Sequence, residues 1–192
     1  MKDYVVWQFE EVPHGLVLDR LQGVQQTSDL RIGVPRAESF PSDAVFSADP
    51  DFPNNLVMAD AFNNTDALVV VSQRLKEFID SFHPPHVEFL PITILNHKSK
   101  PAGNYFIVHP VDPVDALDAA QSGAEFSVLI DTWVESVQKL VLDEAKIDPA
   151  RLLFKLKNYY DCVVVRRDLA DAIGKQKFTG VKWTECEKYK SL

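Results

Sequence analysis

The chain contains 192 residues, of which 46% are hydrophobic and 25% charged, a balance typical of a globular protein that buries a core without disulfide bonds. Its longest run without a charged side chain, residues 101–111, is far shorter than the roughly 20 apolar residues that a membrane-spanning helix needs. Charged residues closely follow the first Met, which argues against a signal-peptide core, so we expect a soluble protein located in the cytoplasm.

Acidic and basic residues are distributed unevenly along the chain. Residues 1–138 carry 20 acidic and 8 basic side chains, whereas residues 139–192 carry 8 acidic and 12 basic ones. Two stretches, residues 37–73 and 101–138, contain acidic side chains but no Lys or Arg. Because an acidic field repels phosphate groups, we expect no nucleic-acid partner and no membrane partner. The same charge fits either the attraction of a basic protein or solubility alone.

The first predicted elements are a strand and a proline-rich segment. Residues Tyr4–Phe9 are rich in β-branched and aromatic side chains and predict an opening strand. Residues 29–64 hold four prolines among Ser, Asp and Asn, and this composition predicts loops with at most short elements. Apolar side chains can anchor the segment: Phe40, Val45, Phe46, Phe52, Leu56, Val57 and Phe62. We therefore expect an ordered, Pro-rich N-terminal cover over the core.

A strand, a helix and a second strand are predicted next. The apolar run at residues 67–71 is typical of a strand that is covered on both faces. Ser72 is a suitable helix cap, and apolar residues then recur at helical spacing until His83-Pro84-Pro85 ends the helix. Residues Val87–Leu95 predict the following strand.

The same pattern recurs 94 positions later without a gap. The three valines at residues 69–71 correspond to those at 163–165, and Leu75 corresponds to Leu169. Residues 68–89 contain six such identities, all at positions expected to be buried. Any two strand–helix–strand units place apolar residues in this way, so the pattern leaves open whether the units arose by duplication. Either origin predicts a mixed architecture.

The remaining segments predict one helix and several strands. Residues 104–108 predict a strand, and residues 113–120 predict a short helix with Asp112 as its cap. Three further strands are predicted at residues 126–130, 134–142 and 152–156. The middle one also fits one face of a helix, and we favour a strand because of its valines and their alternation.

Together these elements predict an α+β fold: a mixed sheet with two similar strand–helix–strand units. We expect a single domain over residues 1–192, with a division into two lobes, about 1–120 and 121–192, as the other possibility.

The sequence contains no recognisable cofactor or metal motif. The seven glycines lie at least six positions apart, which excludes a dinucleotide-binding fingerprint, a P-loop and a nucleophile elbow. His83 and His86 are the closest histidines, but the prolines between them hold the two rings apart and no third ligand is near. We therefore predict a turn at these histidines, no bound metal and no cofactor.

Two groups of residues remain as candidates for chemistry. Cys162 lies in a valine-rich run and predicts a buried thiol, whereas Cys186 lies near the polar C-terminus. Asp112, Asp115 and Asp118 recur at every third position and can share one face of a helix. They fit either paired carboxylates for acid–base chemistry or a solvated acidic face.

Several segments of the chain resemble a known bacterial family. They include residues 68–72, 87–92, 105–108 and 114–118, and a closing block made of Leu153-Phe154-Lys155-Leu156, Val163-Val164-Val165 and Phe178-Thr179-Gly180-Val181-Lys182-Trp183. The family is domain of unknown function 1629, counted among the immunity proteins of polymorphic-toxin systems. The likeness covers the C-terminal two-thirds of the chain, but His83-Pro84-Pro85-His86 stands where the second unit has its Thr-Gly step.

The resemblance implies a protein without enzymatic activity that binds a cognate protein toxin and protects the producing cell. Asp112, Asp115 and Asp118 are then candidate toxin-binding residues at the rim of the contact, with Phe52 and Tyr105 as candidate aromatic anchors. A basic toxin is the partner that the acidic stretches fit. The alternatives are a small hydrolase with an unrecognised Cys or carboxylate site and a structural or regulatory module. The oligomeric state is left open.

Overall fold

Residues 3–191, which the computed structural model describes, form strands and short helices. The strands are β1 (Tyr4–Phe9), β2 (Leu18–Gln22), β3 (Val45–Ala48), β4 (Ala61–Phe62), β5 (Val69–Ser72), β6 (Val87–Leu95), β7 (Pro101–Pro110), β8 (Glu125–Phe126), β9 (Val134–Ser136), β10 (Leu153–Leu156), β11 (Tyr159–Arg166) and β12 (Val181–Glu185). The α-helices are α1 (Thr27–Ile32), α2 (Gln73–Asp80), α3 (Ala119–Ser122) and α4 (Arg167–Gly174). Over the described residues, none of these helices is long and apolar enough to span a membrane.

The strands are arranged in two larger sheets and one hairpin. Six strands form a mixed sheet in the order β2-β3-β6-β7-β5-β4, in which only β3 and β6 are parallel neighbours. Four strands form an antiparallel sheet in the order β10-β11-β1-β12, and β8 pairs with β9. The predicted α+β class with a mixed sheet is confirmed. Because β1 pairs with the C-terminal strands, the sheets do not separate at residue 120, and the division into two lobes stays a prediction.

Most strands predicted around the two repeated units are present. These include β1, β5, β6, β7, β10, β11 and β12. Helix α2 also begins as predicted, because the Ser72 hydroxyl accepts a hydrogen bond from the Leu75 N–H at 3.2 Å.

The two strand–helix–strand units share one topology and one register. In the first unit β5 and β6 are parallel with β7 between them, and in the second β11 and β12 are parallel with β1 between them. In the first unit, Ile107 pairs with Val70 on one side and with Leu90 on the other. In the second unit, Val6 pairs with Val164 on one side and with Thr184 on the other. Val70 and Val164 are 94 positions apart, and so are Leu90 and Thr184. The offset seen in the sequence is therefore also present in the strand pairing.

The helix and turn of each unit correspond as well. The bounds of α2 and α4 differ by 94 positions. After the helices, His83 and Lys177 have φ values of 48° and 54°, and His86 and Gly180 have φ values of 59° and 80°. His86 therefore adopts the left-handed conformation that Gly180 adopts in the second unit, although the Thr-Gly step is missing from the first.

The two units pack against each other across a shared apolar core. One buried cluster contains side chains of both sheets and both helices: Val5, Trp7, Ala61, Val69, Val71, Leu75, Ile79, Val108, Leu152, Leu153, Val163, Val165, Leu169, Ala170 and Ile173. At its edge, the rings of Phe78 and Phe178 lie 5.5 Å apart. Most of the valines, leucines and isoleucines that repeat in the sequence thus join the units, whereas Val70 and Val164 belong to separate clusters.

Asp60 connects the two units by hydrogen bonds. Its carboxylate accepts bonds from the Ser72 hydroxyl at 2.9 Å, from Arg74 Nη2 at 2.8 Å and from the Thr179 N–H at 3.0 Å. The Arg74 guanidinium carbon lies 4.2 Å from the ring centroid of Phe178. Burial alone would raise the pKa of Asp60, but the bonds from Arg74, Thr179 and Ser72 outweigh it and lower that pKa.

The predicted helix at residues 113–120 is wrong. The helix is shorter, α3, and its N-cap is Asp118, whose side chain accepts a hydrogen bond from the Gln121 N–H at 2.9 Å. Upstream of it, Val114 N–H donates to the Lys155 carbonyl at 2.9 Å and the Ala116 carbonyl accepts from the Asp143 N–H at 2.8 Å. These backbone groups are therefore bonded to distant segments and not to a helical turn.

Two predicted strands are also much shorter in the structure. The strand predicted at 126–130 is limited to β8, and the strand predicted at 134–142 is limited to β9. Val137 and Leu140 are buried three positions apart, so the alternation expected of a strand does not continue beyond β9.

The proline-rich segment contains short elements, as predicted, and one of them lies inside the larger sheet. β3 is placed between β2 and β6, and its Phe46 side chain is fully buried. The sequence did not indicate this strand, and the role of the segment as a cover stays a prediction.

Candidate functional site

An irregular acidic segment of the surface lies between the two repeated units. We call residues 112–138 the acidic arch. It contains six acidic side chains and no Lys or Arg: Asp112, Asp115, Asp118, Glu125, Asp131 and Glu135. All are exposed except Asp118, which is half-buried. The arch therefore presents a local negative field at the surface.

The inner side of the arch is anchored in the core. Ala116, Val134 and Val137 are buried in a cluster with residues of the four-stranded sheet, including Tyr4, Val6, Phe154, Leu156, Tyr159 and Val164. The backbone of Val114 bonds β10 and the turn after it, through Lys155 and Lys157, at 2.9 Å each. These contacts hold an irregular chain segment in one conformation.

Ser122 and Gly123 hold the first half of the arch against the residues that follow β9. Ser122 is fully buried, its carbonyl accepts from the Gln138 N–H at 3.0 Å, and its hydroxyl accepts from the Val141 N–H at 3.0 Å. Gly123 has a φ of 60°, and a Cβ atom there would lie 2.9 Å from the Gln138 side chain. The two ends of the hairpin β8–β9 are thereby held together.

The three aspartates chosen from their spacing do not share a helix face, so that part of the expectation is wrong. Asp112 has a φ of 54° and its carboxylate lies 2.7 Å from His86 Nδ1. Asp115 is exposed, and Asp118 caps α3. Hydrogen bonds from the backbone and side chain of Gln121 lower the pKa of Asp118. The residues still lie on one short exposed segment, and their role in toxin binding stays a prediction.

The hairpin β8–β9 carries the most exposed apolar residues of the described chain. Val128 and Leu129 are 94% and 89% exposed, and Ile130 follows at 42%. At the base of the hairpin, Val134 is buried, and the Trp133 ring lies 5.7 Å from that of Tyr160. We call residues 128–130 the apolar tip.

The apolar tip is not apparent from the sequence, because its run of apolar residues predicts a strand. The available signal was the lack of alternation in Val128-Leu129-Ile130 and the acidic residues on both sides of it. The aromatic anchor proposed at Tyr105 is wrong, because that side chain is buried and its hydroxyl donates to the Ala59 carbonyl at 3.1 Å. Phe52 is exposed, in a loop outside the arch.

The two cysteines considered for hydrolysis are in environments that do not favour it. Cys162 and Cys186 are both buried, and burial raises the pKa of the Cys162 thiol, which disfavours the reactive thiolate. A cavity of about 390 Å³ reaches Cys162 and Lys155. Burial lowers the pKa of Lys155 to about 8, and its Nζ donates to the carbonyls of Leu30 and Arg31 at 2.9 and 2.7 Å. Lys155 is thus held by backbone at the end of α1.

Comparison with protein families identifies a match over most of the chain. A family model described as "Immunity protein family (Imm11)" matches residues 10–188. The matched region contains the first repeated unit, the second repeated unit except for its central strand β1, and the whole acidic arch. No curated protein matches the chain.

Proposed function

The chain belongs to the Imm11 immunity protein family, and from this premise we propose that it binds and neutralises a cognate protein toxin in the cytoplasm of the cell that produces it. The family match over residues 10–188 is the observation that carries the proposal. The resemblance to immunity proteins is confirmed at the level of the family, and the label of domain 1629 is not part of the match.

The acidic arch supports a contact with a basic toxin. Its six acidic side chains have no basic residue among them, and the backbone that carries them is fixed to the core. Such a surface accelerates the encounter with a positively charged partner. We assign Asp112, Asp115 and Asp118 to the rim of this contact, where charges act on the association rate more than on the dissociation rate.

Coexpression tests the proposal directly. The full chain is produced together with the toxin domain encoded next to its own gene, and bacterial growth and copurification are measured. We expect growth to be restored and a stoichiometric complex to be recovered. A chain that neither restores growth nor binds this domain, or one that instead turns over a small substrate, would contradict the proposal.

Neutralising the three aspartates is expected to slow toxin binding. In Asp112→Asn/Asp115→Asn/Asp118→Asn the association rate at low salt should fall about three- to tenfold, because long-range attraction is reduced. The dependence of that rate on salt should also become weaker. Asparagine keeps the size of the side chain and its ability to cap α3. Stopped-flow fluorescence over a range of ionic strength measures both effects.

A matched control removes the same charge elsewhere. Glu144→Gln/Asp148→Asn/Asp171→Asn changes three exposed acids outside the arch, in the region of the chain that is net positive. We expect a smaller change in association rate for this variant. Equal effects of the two triple variants would show that only the total charge matters and would remove the arch from the contact.

A further inference from the structure

The apolar tip is an unusual surface for a soluble protein. Three consecutive apolar side chains point away from the core, two of them almost fully exposed. Runs of this kind promote aggregation and are retained where they bind a partner. Phe126 and Trp133, which are 51% and 36% exposed, lie on either side of the tip in the chain. Large aromatic and aliphatic side chains of this kind form the energetic centre of many protein interfaces.

The tip is held in one conformation and is not a loose loop. The Ser127 N–H donates to the Trp133 carbonyl at 2.8 Å, and the Trp133 N–H donates to the Ile130 carbonyl at 2.8 Å. The Leu129 N–H donates to the Ser127 hydroxyl at 3.3 Å. A tip that is already ordered loses little conformational entropy when it binds, which favours high affinity.

The charges around the tip determine which partner fits. Glu125, Asp131 and Glu135 belong to the hairpin itself, and the other charged side chains of the acidic arch are also negative. In a symmetric contact between two copies these carboxylates would face each other, and like charges across an interface are unfavourable. An anionic membrane surface would be repelled in the same way. A basic protein surface with an apolar pocket is complementary to both features.

We propose that the apolar tip inserts into an apolar pocket within a basic surface of the toxin, and that Leu129 is its principal anchor. The inference rests on the proposed function, and it adds the surface and the chemistry of the contact. The tip supplies the short-range packing that keeps the complex together, whereas the carboxylates around it guide the approach.

A pair of leucine variants tests the tip. Leu129→Ser removes the proposed anchor, and Leu56→Ser makes the same change at a leucine that is 65% exposed in a loop outside the arch. Binding of the adjacent-gene toxin domain to the full chain is measured by surface plasmon resonance, and folding by the thermal midpoint. We expect Leu129→Ser to raise Kd at least about tenfold, mainly through faster dissociation, and Leu56→Ser to leave Kd unchanged. Both variants should unfold at the wild-type temperature.

The outcomes separate this inference from the proposed function. If the wild-type chain binds and protects but Leu129→Ser binds equally well, the tip is not the anchor and the proposed function stands. If Leu56→Ser is the weakened variant, the contact lies at the other exposed apolar loop and the inference is overturned. If light scattering shows a wild-type dimer that Leu129→Ser converts to a monomer, the tip binds a second copy and the inference is overturned as well. A wild-type chain that fails to bind and protect overturns both.

Discussion

Gly180→Ala is expected to lower the free energy of unfolding by at least about 3 kcal/mol, because the added methyl group would clash with backbone atoms. A Cβ atom at this position would lie 2.1 Å from the Ala61 carbonyl oxygen, and the residue has a φ of 80°. The obstacle is backbone, so no side-chain rotation can relieve it. The adjacent hydrogen bond from the Ala61 N–H to the Thr179 carbonyl, 3.0 Å long, joins the two sheets at the same point.

The same substitution at Gly174 is the matched control. Gly174 ends α4, and a Cβ atom there would meet nothing within 4 Å. Gly174→Ala should therefore leave stability unchanged or raise it by about 0.5–1 kcal/mol, since alanine restricts the unfolded chain and favours helix. Urea unfolding followed by tryptophan fluorescence measures both variants. Equal stabilities for the two alanine variants would contradict the close approach of the sheets at Gly180.

The repeat shows what local sequence can and cannot reveal. The apolar identities at a spacing of 94 correctly indicated two units with related strands and helices. The sequence His83-Pro84-Pro85-His86 stands where the second unit has its Thr-Gly step, yet His86 and Gly180 share a left-handed backbone. A histidine can adopt that conformation at a cost of about 1 kcal/mol or more, which surrounding contacts can offset. Those contacts are distant in sequence, so the pattern alone did not reveal them.

The helix and the long strands predicted within the acidic arch are wrong for a similar reason. Its backbone groups bond to β10, to the turn at Lys157 and to residues near Asp143, all of which lie outside the segment. Periodicity describes only how a segment buries its own side chains, and it contains no information on such long-range bonds. Composition was the more useful guide, because the absence of Lys and Arg in residues 101–138 located the exposed acidic surface without any knowledge of its fold.

The choice of candidate anchors depended on exposure, which the sequence did not provide. Tyr105 and Phe52 are both aromatic residues in acidic stretches, but one is in an internal strand and the other is in a loop. The apolar tip starts two residues after the end of β8, and its residues resemble a buried strand in composition. The structure distinguishes the tip from a buried strand because, over residues 3–191, no second layer covers it.

Asp60→Asn is expected to lower the free energy of unfolding by about 2–4 kcal/mol at neutral pH. The carboxylate is mostly buried and accepts charge-assisted or neutral bonds from Ser72, Arg74 and Thr179. An amide has only one oxygen, so its NH2 group would face one of these donors and leave a bond unmade. Because Thr179 belongs to the second unit, the lost bonds also weaken the contact between the units.

Asp168→Asn provides the matched control at an aspartate that is paired but exposed. Its side chain is 63% exposed and lies 2.7 Å from Arg166, and the bonds from Arg166 lower its pKa. Because water screens an exposed pair, this variant should lose less than about 1 kcal/mol. If Asp168→Asn lost as much stability as Asp60→Asn, burial would not be the reason for the large loss expected at Asp60.

Acidification should remove the contribution of the Asp60 carboxylate to the free energy of unfolding. The pKa of Asp60 is lowered in the folded chain, so the folded state binds its proton less readily than the unfolded state does. Its stabilising effect is therefore complete above the ordinary pKa of 3.8 and is lost as the pH falls through the lower folded value. The stability difference between wild type and Asp60→Asn should be constant from pH 7 to about 5 and should decrease below about pH 4. A difference that instead grows on acidification would mean that Asp60 is not held as a carboxylate by Arg74 and Thr179.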